Sequence, residues 1–128
     1  MTSTKDITDV TIYYINQIND NYYYVPVTKY INDDRDKASI IIDELSSNFD
    51  FNKNLMSFLN DGTKLVSSTV KDGQMQLNFN EDILNDAVSE DISEETLEMI
   101  SLSIGANYDV KEVVFNVDDR ELYKIALE

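Results

Sequence analysis

With 128 residues, 42% of them hydrophobic, the chain has the size of one domain and enough apolar content to build a core rather than stay disordered. Ten basic residues face 25 acidic ones, giving a net charge of −15. That argues against nucleic acid or an anionic membrane surface as a partner, because phosphate recognition needs clustered Lys and Arg. Cys, His and Trp are absent, which removes disulfides, thiolate nucleophiles, Cys/His zinc sites and histidine bases.

Met1 to Val10 is polar and acidic, without the basic start and apolar stretch of a signal peptide. No run of about 18 apolar residues is present to span a bilayer. Residues 1–9 are expected to be a flexible lead-in, and residues 10–128 a single domain. Val10 to Ile15 is β-branched and aromatic and reads as a strand. After a polar connection from Asn16 to Asn21, Tyr22 to Thr28 reads as its antiparallel partner. Pro26 has no N–H for a ladder, so it places this strand at an edge. A helix follows. Asp33, Asp34 and Asp36 supply negative charge for its first turn, and Ala38, Ile41, Ile42, Leu45 and Phe49 share one face. Phe51 to Leu59 is ambiguous; a short helix there would lay Leu55, Phe58 and Leu59 on the core.

The sharpest local signal is Asp72-Gly73 between two alternating runs, the composition of a two-residue type I′ turn. It predicts the pairs Lys71 with Gln74, Val70 with Met75, Ser68 with Leu77 and Val66 with Phe79. Val66, Val70, Met75, Leu77 and Phe79 would then share the core face. Ser93, followed by Glu94 and Glu95, caps a second helix with Leu97, Met99, Ile100, Leu102 and Ile104 on a broad apolar face, ended by Gly105 or Asn107. Val110 to Val117 is a strand, Asp118-Asp119-Arg120 a reversal, and Leu122 to Leu127 the last strand. The order is ββ-α-ββ-α-ββ. It implies an α+β, two-layer domain, with an antiparallel-rich or mixed sheet and two main helices packed on one face.

The tyrosines Tyr13, Tyr14, Tyr22, Tyr23 and Tyr24 form the most unusual local cluster. In one reading, alternate tyrosines enter the core and the others flank a sheet edge. In the other, Tyr14, Tyr22, Tyr23 and Tyr24 form an interaction surface for a protein or a glycan. Carboxylate pairs are abundant (Asp33/Asp34/Asp36, Asp43/Glu44, Glu90/Asp91, Glu94/Glu95, Asp118/Asp119), but no spacing singles out an acid and base for glycosidase chemistry. No segment has the alternate oxygen ligands and glycine of a calcium loop. Asp118-Asp119 reads as a solvated turn, with weak cation binding as the rival. Lys64, Lys71, Lys111 and Lys124 are scattered on strands, where they discourage edge aggregation. No catalytic residue, cofactor site or metal site is expected.

Several phrases together resemble the GerMN domain family of sporulation and germination proteins. Thr11-Ile12-Tyr13-Tyr14 resembles the family's opening aromatic strand, and Tyr23-Tyr24-Val25-Pro26-Val27-Thr28-Lys29 the strand that follows. Ala38, Ile41, Ile42, Glu44 and Leu45 sit in its first helix. Asp61-Gly62-Thr63-Lys64-Leu65 is similar to its entry into the central hairpin, which turns at Val70-Lys71-Asp72-Gly73. Leu77-Asn78-Phe79-Asn80-Glu81, Glu94-Glu95 and Val110-Lys111-Glu112-Val113-Val114-Phe115-Asn116-Val117-Asp118 complete the likeness. The departures fall at turns. Ser46-Ser47-Asn48-Phe49 replaces the usual Gly-Pro, Asn60 or Asp61 stands where Pro precedes Gly62, and Asp119 stands where Gly is usual.

The resemblance implies a fold similar to the ring-building motif of other sporulation proteins. It also implies a non-enzymatic, extracytoplasmic interaction module in a cell-envelope or sporulation assembly, held at the membrane in its parent protein by a signal or lipid anchor. The expected partners are envelope or sporulation-complex proteins, with self-association among them; no membrane insertion of this chain is expected. If the chain were a whole gene product it would be cytoplasmic. Two rival functions remain open on residues alone: a small acidic inhibitor that mimics DNA, and a cell-wall glycan-binding module using surface tyrosines.

Overall fold

The structure is a computed structural model that describes residues 7–47, 54–84 and 91–127. Strands β1 (Ile7–Ile18) and β2 (Asn21–Asn32) form a long antiparallel hairpin. Helix α1 (Lys37–Ser46) follows, then β3 (Leu65–Lys71) and β4 (Gln74–Phe79), a single 3-10 turn at Glu81–Ile83, helix α2 (Glu94–Asn107), and the strands β5 (Glu112–Val117) and β6 (Arg120–Ala126). The ββ-α-ββ-α-ββ order is the expected one, and the fold is α+β. The sheet is mixed: β3 and β4 are antiparallel, β4 and β5 parallel, and β5 and β6 antiparallel, in the order β3-β4-β5-β6.

The first hairpin does not join that sheet; it is a two-stranded sheet of its own. The reason lies on the outer edge of β1. The Thr11 N–H donates to Asn107 Oδ1 at 3.1 Å, and Asn107 Nδ2 donates back to the Thr11 carbonyl at 2.7 Å. The Tyr13 N–H donates to Ser103 Oγ at 2.8 Å. Ile15 and Met56 exchange both backbone bonds at 2.8 Å. Side chains of α2 and one residue of the 54–59 segment thus satisfy the groups a neighbouring strand would otherwise take, which removes that edge as a pairing site.

Several boundaries differ from expectation. Residues 7–9, expected in a flexible lead-in, pair with Tyr30 to Asn32 in β1. The polar connection expected over Asn16 to Asn21 shrinks to Asn19-Asp20, with Asn19 at φ 58°; cross-strand pairing extends the strands past the apolar run that announced them. Asp33 and Asp34 precede α1 rather than lying in its first turn, and Asp36 is its N-cap residue. Ala38, Ile41, Ile42 and Leu45 are buried as expected, together with Ile40; Phe49 lies outside the described residues. Over residues 54–59 the chain is extended, not helical, because Met56 is tied to β1. Leu55 and Leu59 are nonetheless buried and Phe58 packs at the core's margin.

The central hairpin turns at Asp72-Gly73 with φ of 55° and 78°, the two positive values a type I′ turn requires. Lys71 pairs with Gln74, Val70 with Met75 and Ser68 with Leu77, as predicted. The fourth pair is different: a bulge at Val66 puts Leu65, not Val66, opposite Phe79. Val66 is 64% exposed and Val70 51% exposed, so β3 contributes little to the core. The core runs instead through Met75, Leu77 and Phe79 of β4 and Val113, Phe115 and Val117 of β5, where the Phe79 and Phe115 rings stack at 5.9 Å. Each fully buried large apolar side chain contributes about 1.5–3 kcal/mol. The last reversal, Asp118-Asp119, also has two positive φ values, 53° and 64°, so aspartate holds a conformation for which glycine is the easier residue.

Helix α2 starts at Ser93, whose Oγ accepts the Thr96 N–H at 3.2 Å. It runs through Gly105 to Asn107. Tyr108 then turns back, and its hydroxyl accepts the Ala38 N–H at 3.0 Å, so the end of α2 caps the start of α1. The Gly62-Thr63-Lys64 segment is clamped by Asn80: its Nδ2 donates to the Gly62 carbonyl and its Oδ1 accepts the Lys64 N–H, both at 3.0 Å. A Cβ at Gly62 would stand 2.0 Å from Asp82 Oδ2, so a side chain there would displace the exposed Asp82 carboxylate.

Candidate functional site

The strand phrase Val25-Pro26-Val27-Thr28-Lys29 places successive residues on opposite faces of the hairpin. Val25, Val27 and Lys29 lie opposite Tyr14, Ile12 and Val10, on the inner face toward α1. Pro26 and Thr28 face outward, opposite Tyr13 and Thr11, and the Thr28 and Thr11 hydroxyls bond at 2.9 Å. The Tyr13 N–H turns away from Pro26 to reach Ser103. The proline therefore sits at a non-hydrogen-bonded position and costs the ladder nothing.

Of the four tyrosines expected to form a surface, Tyr14 belongs elsewhere. It is 2% exposed, because its place on the alternating inner face of β1 carries it beneath α1. Lys29 Nζ lies 5.2 Å from its ring centroid and reaches Glu44 Oε1 at 2.7 Å. Burial raises the Tyr14 hydroxyl above its ordinary 10.0, with Lys29 opposing. For Lys29, burial is the largest influence and lowers it, but hydrogen bonds to Glu44 and Tyr14 outweigh burial and leave it raised.

The other three stand nearer the solvent. Tyr22 is 40% and Tyr23 47% exposed, while Tyr24 is half-buried. Tyr22 meets Phe58 edge to face at 5.4 Å. Tyr24 faces the start of α2; burial and then the carboxylates of Glu95, Glu98 and Glu94 raise its hydroxyl. Tyr22 and Tyr24 thus share the outer face, Tyr23 alternates to the other side, and Tyr14 is in the core. The most exposed tyrosine, Tyr30 at 75%, lay beyond the expected end of β2. Extending the alternation of Pro26 and Thr28 by one step would have found it. Among the described residues, eight large hydrophobic side chains are exposed, and five of them (Ile7, Ile18, Tyr22, Tyr23, Tyr30) belong to this one hairpin.

Several acidic residues make structural bonds. Arg35 bridges Asp33 and Asp43, each at 2.7 Å, and its guanidinium holds the Asp33 carboxyl below the usual range. Asp36 accepts from the hydroxyls of Ser39 and Ser68. Asp91 accepts from the Tyr123 hydroxyl at 2.6 Å. Asp119 accepts from Asn78 Nδ2 at 3.0 Å, while its own N–H donates to Asn78 Oδ1. Glu90 lies outside the described residues. Among the described residues, no three Asp or Glu side chains gather as metal ligands, and no helix is long and apolar enough to cross a membrane.

Comparison with known proteins places this geometry. The sequence model of the Germane family, described as sporulation and spore germination, matches residues 11–123. The spore germination protein GerM of Bacillus subtilis is 36% identical over 115 residues, covering 87% of this chain and 31% of that protein. The solved tandem GerMN domains of B. subtilis GerM superpose with a TM-score of 0.84 at 28% identity, over 100% of this chain and 47% of theirs. The solved first GerMN domain of the same protein gives a TM-score of 0.71 at 15% identity, over 90% of this chain and 86% of that one, a likeness of fold. The chain therefore spans about a third of B. subtilis GerM and less than half of the tandem-domain structure.

Proposed function

This chain belongs to the Germane (GerMN) family of sporulation and spore germination domains, and from that premise we propose that it is a non-enzymatic module that docks a partner protein of an envelope or sporulation assembly through the exposed side chains of its β1–β2 hairpin. The observation that carries this reading is the concentration of exposed apolar and aromatic side chains on that hairpin. Aromatic residues combine large contact area with a polar tip, and they anchor interfaces well. The β2 edge pairs with no strand among the described residues, so backbone and side chains face outward together. In the parent protein the module lies outside the cytoplasm.

The test is site-specific crosslinking in the parent cell, with a photoreactive residue in place of Tyr23 or Tyr30. The expected product is one envelope protein trapped at both positions and lost when Tyr22 and Tyr30 are both changed to Ala. Adducts with cytosolic proteins alone, or release of fragments from purified peptidoglycan by the isolated chain, would overturn the proposal.

A further inference from the structure

Beside α2, β6 ends the four-stranded sheet and pairs with no strand on its outer side among the described residues. The Leu127 N–H points inward, to the Lys111 carbonyl at 2.8 Å. By the alternation of a strand, the backbone groups of Lys124 and Ala126 therefore point outward. The other free edges are blunted: β2 by Pro26, β3 by the bulge at Val66. From Tyr123 to Ala126, β6 is regular.

Two clefts lie between this edge and α2. One, of about 350 Å³, is walled by Leu102, Ala106, Val110, Ile125 and Leu127. The other, of about 470 Å³, lies beside Ile92, Leu97 and Tyr123. Both include Glu98 and Ile125, so they form one continuous groove. Its walls are mostly apolar, and small residues on α2, Gly105 and Ala106, keep it open. Its rim is acidic through Glu94 and Glu98, neither of which has a salt-bridge partner among the described residues. Ser101 lines the first cleft. It is 2% exposed, and its Oγ has no hydrogen-bond partner among the described residues. A buried hydroxyl is stabilised by a partner, which a polar group entering the cleft can supply.

We infer that this groove receives an extended, basic segment of a partner protein, which adds to β6 as a further strand. The side chains that enter the groove are two apolar residues, a small polar one opposite Ser101 and, at one end, a lysine that reaches Glu94 and Glu98; the residues between them point to the other face of the sheet. Strand addition supplies backbone hydrogen bonds and the groove supplies selectivity. The excess of acid over base on the whole chain, 25 against 10, favours the basic partner at long range. The groove adjoins the hairpin, since Tyr13 of β1 lines its first cleft, but the strand-pairing groups it uses belong to β6.

The probe is a fluorescein-labelled heptapeptide, Lys-Lys-Val-Lys-Thr-Lys-Val, whose first, third, fifth and seventh side chains face the groove, titrated at about 0.15 M salt, where the screening length is about 8 Å. Three comparisons follow: the same peptide with Glu for every Lys, a version N-methylated at the pairing amides, and the variants Ala126→Pro and Glu98→Gln. Saturable binding is expected for the first peptide only, weakened about tenfold by Ala126→Pro and severalfold by Glu98→Gln. Backbone amide shifts in the NMR spectrum should concentrate at Ser101, Leu102, Lys124 and Ala126. Equal binding of the N-methylated or the glutamate peptide, no saturation, or shifts confined to residues 21–32 would each overturn the inference. The N-methylated peptide tests wild-type protein, so the result does not depend on Ala126→Pro folding. Failure here leaves the hairpin proposal standing, and failed crosslinking at Tyr23 and Tyr30 leaves this one.

Discussion

Ser103 and Asn107 sit one turn apart on α2, and together they stand in for a missing strand. Ser103 Oγ accepts from Tyr13 and donates to the Met99 carbonyl at 2.8 Å, while Asn107 uses both ends of its amide on Thr11. Removing such a partner leaves a backbone group unpaired in a partly buried place, which costs about 1–3 kcal/mol. Ser103→Ala should lower stability by that amount in chemical denaturation, with the slope unchanged. Asn107→Asp should cost more at pH 7, because a carboxylate would face the carbonyls of Thr11 and Ser103, which now accept from Nδ2. A second residue-scale prediction concerns Tyr14 and Lys29. Both are raised in the folded state, so the fold holds their protons more tightly than the unfolded chain does. Their contribution is complete below the unfolded values of about 10 and 10.4, and is lost as pH rises through the folded ones. Thermal stability should therefore fall above about pH 10, and Tyr14→Phe should make that fall shallower. An unchanged slope would remove Tyr14 as a cause.

At the scale of elements, the bulge in β3 separates two readings of one hairpin. If Val66 paired with Phe79 its side chain would enter the core; with Leu65 in that place, Val66 lies mainly in solvent. Val66→Ala should therefore change stability by less than about 0.5 kcal/mol. Leu65→Ala, at a half-buried position packed on the core, should cost about 1–2 kcal/mol. Urea titration of both variants decides between the registers, and a larger loss at Val66 would restore the simple pairing. The comparison also shows what kind of information the sequence carries. Asp72-Gly73 and Ser93 act within a few residues, so the turn and the cap were legible. The edge position of β2 was legible from Pro26 for the same reason. The bulge was not; it lies next to Lys64, which Asn80 holds across the hairpin mouth, a contact between residues far apart in the chain. Nor was the extended path at Met56, which is set by Ile15, far away in the chain. Tyr14 as core and Tyr30 as surface follow from a strand length that only the β1–β2 pairing fixes.

At the scale of the whole molecule, two sheets that share no strand are joined by two helices and one core. The charge works against that compactness. Three salt bridges are present among the described residues, two of them made by Arg35, while acids outnumber bases by 25 to 10 over the full chain. Local pairs near the surface are worth about 0–1 kcal/mol each, whereas self-repulsion is spread over the whole surface and destabilises the compact state. Salt weakens both, shrinking the screening length from about 30 Å at 0.01 M to about 10 Å at 0.1 M. If repulsion is the larger effect, sodium chloride raises stability. The expected result is a melting temperature that climbs by several degrees between about 0.01 and 0.3 M salt and then levels off, because the repelling charges lie farther apart than the paired ones. Arg35→Gln should lower the melting temperature most at the low-salt end, where its two aspartates are least screened. A melting temperature that falls with salt in the wild-type chain would mean that the few ion pairs outweigh the net charge.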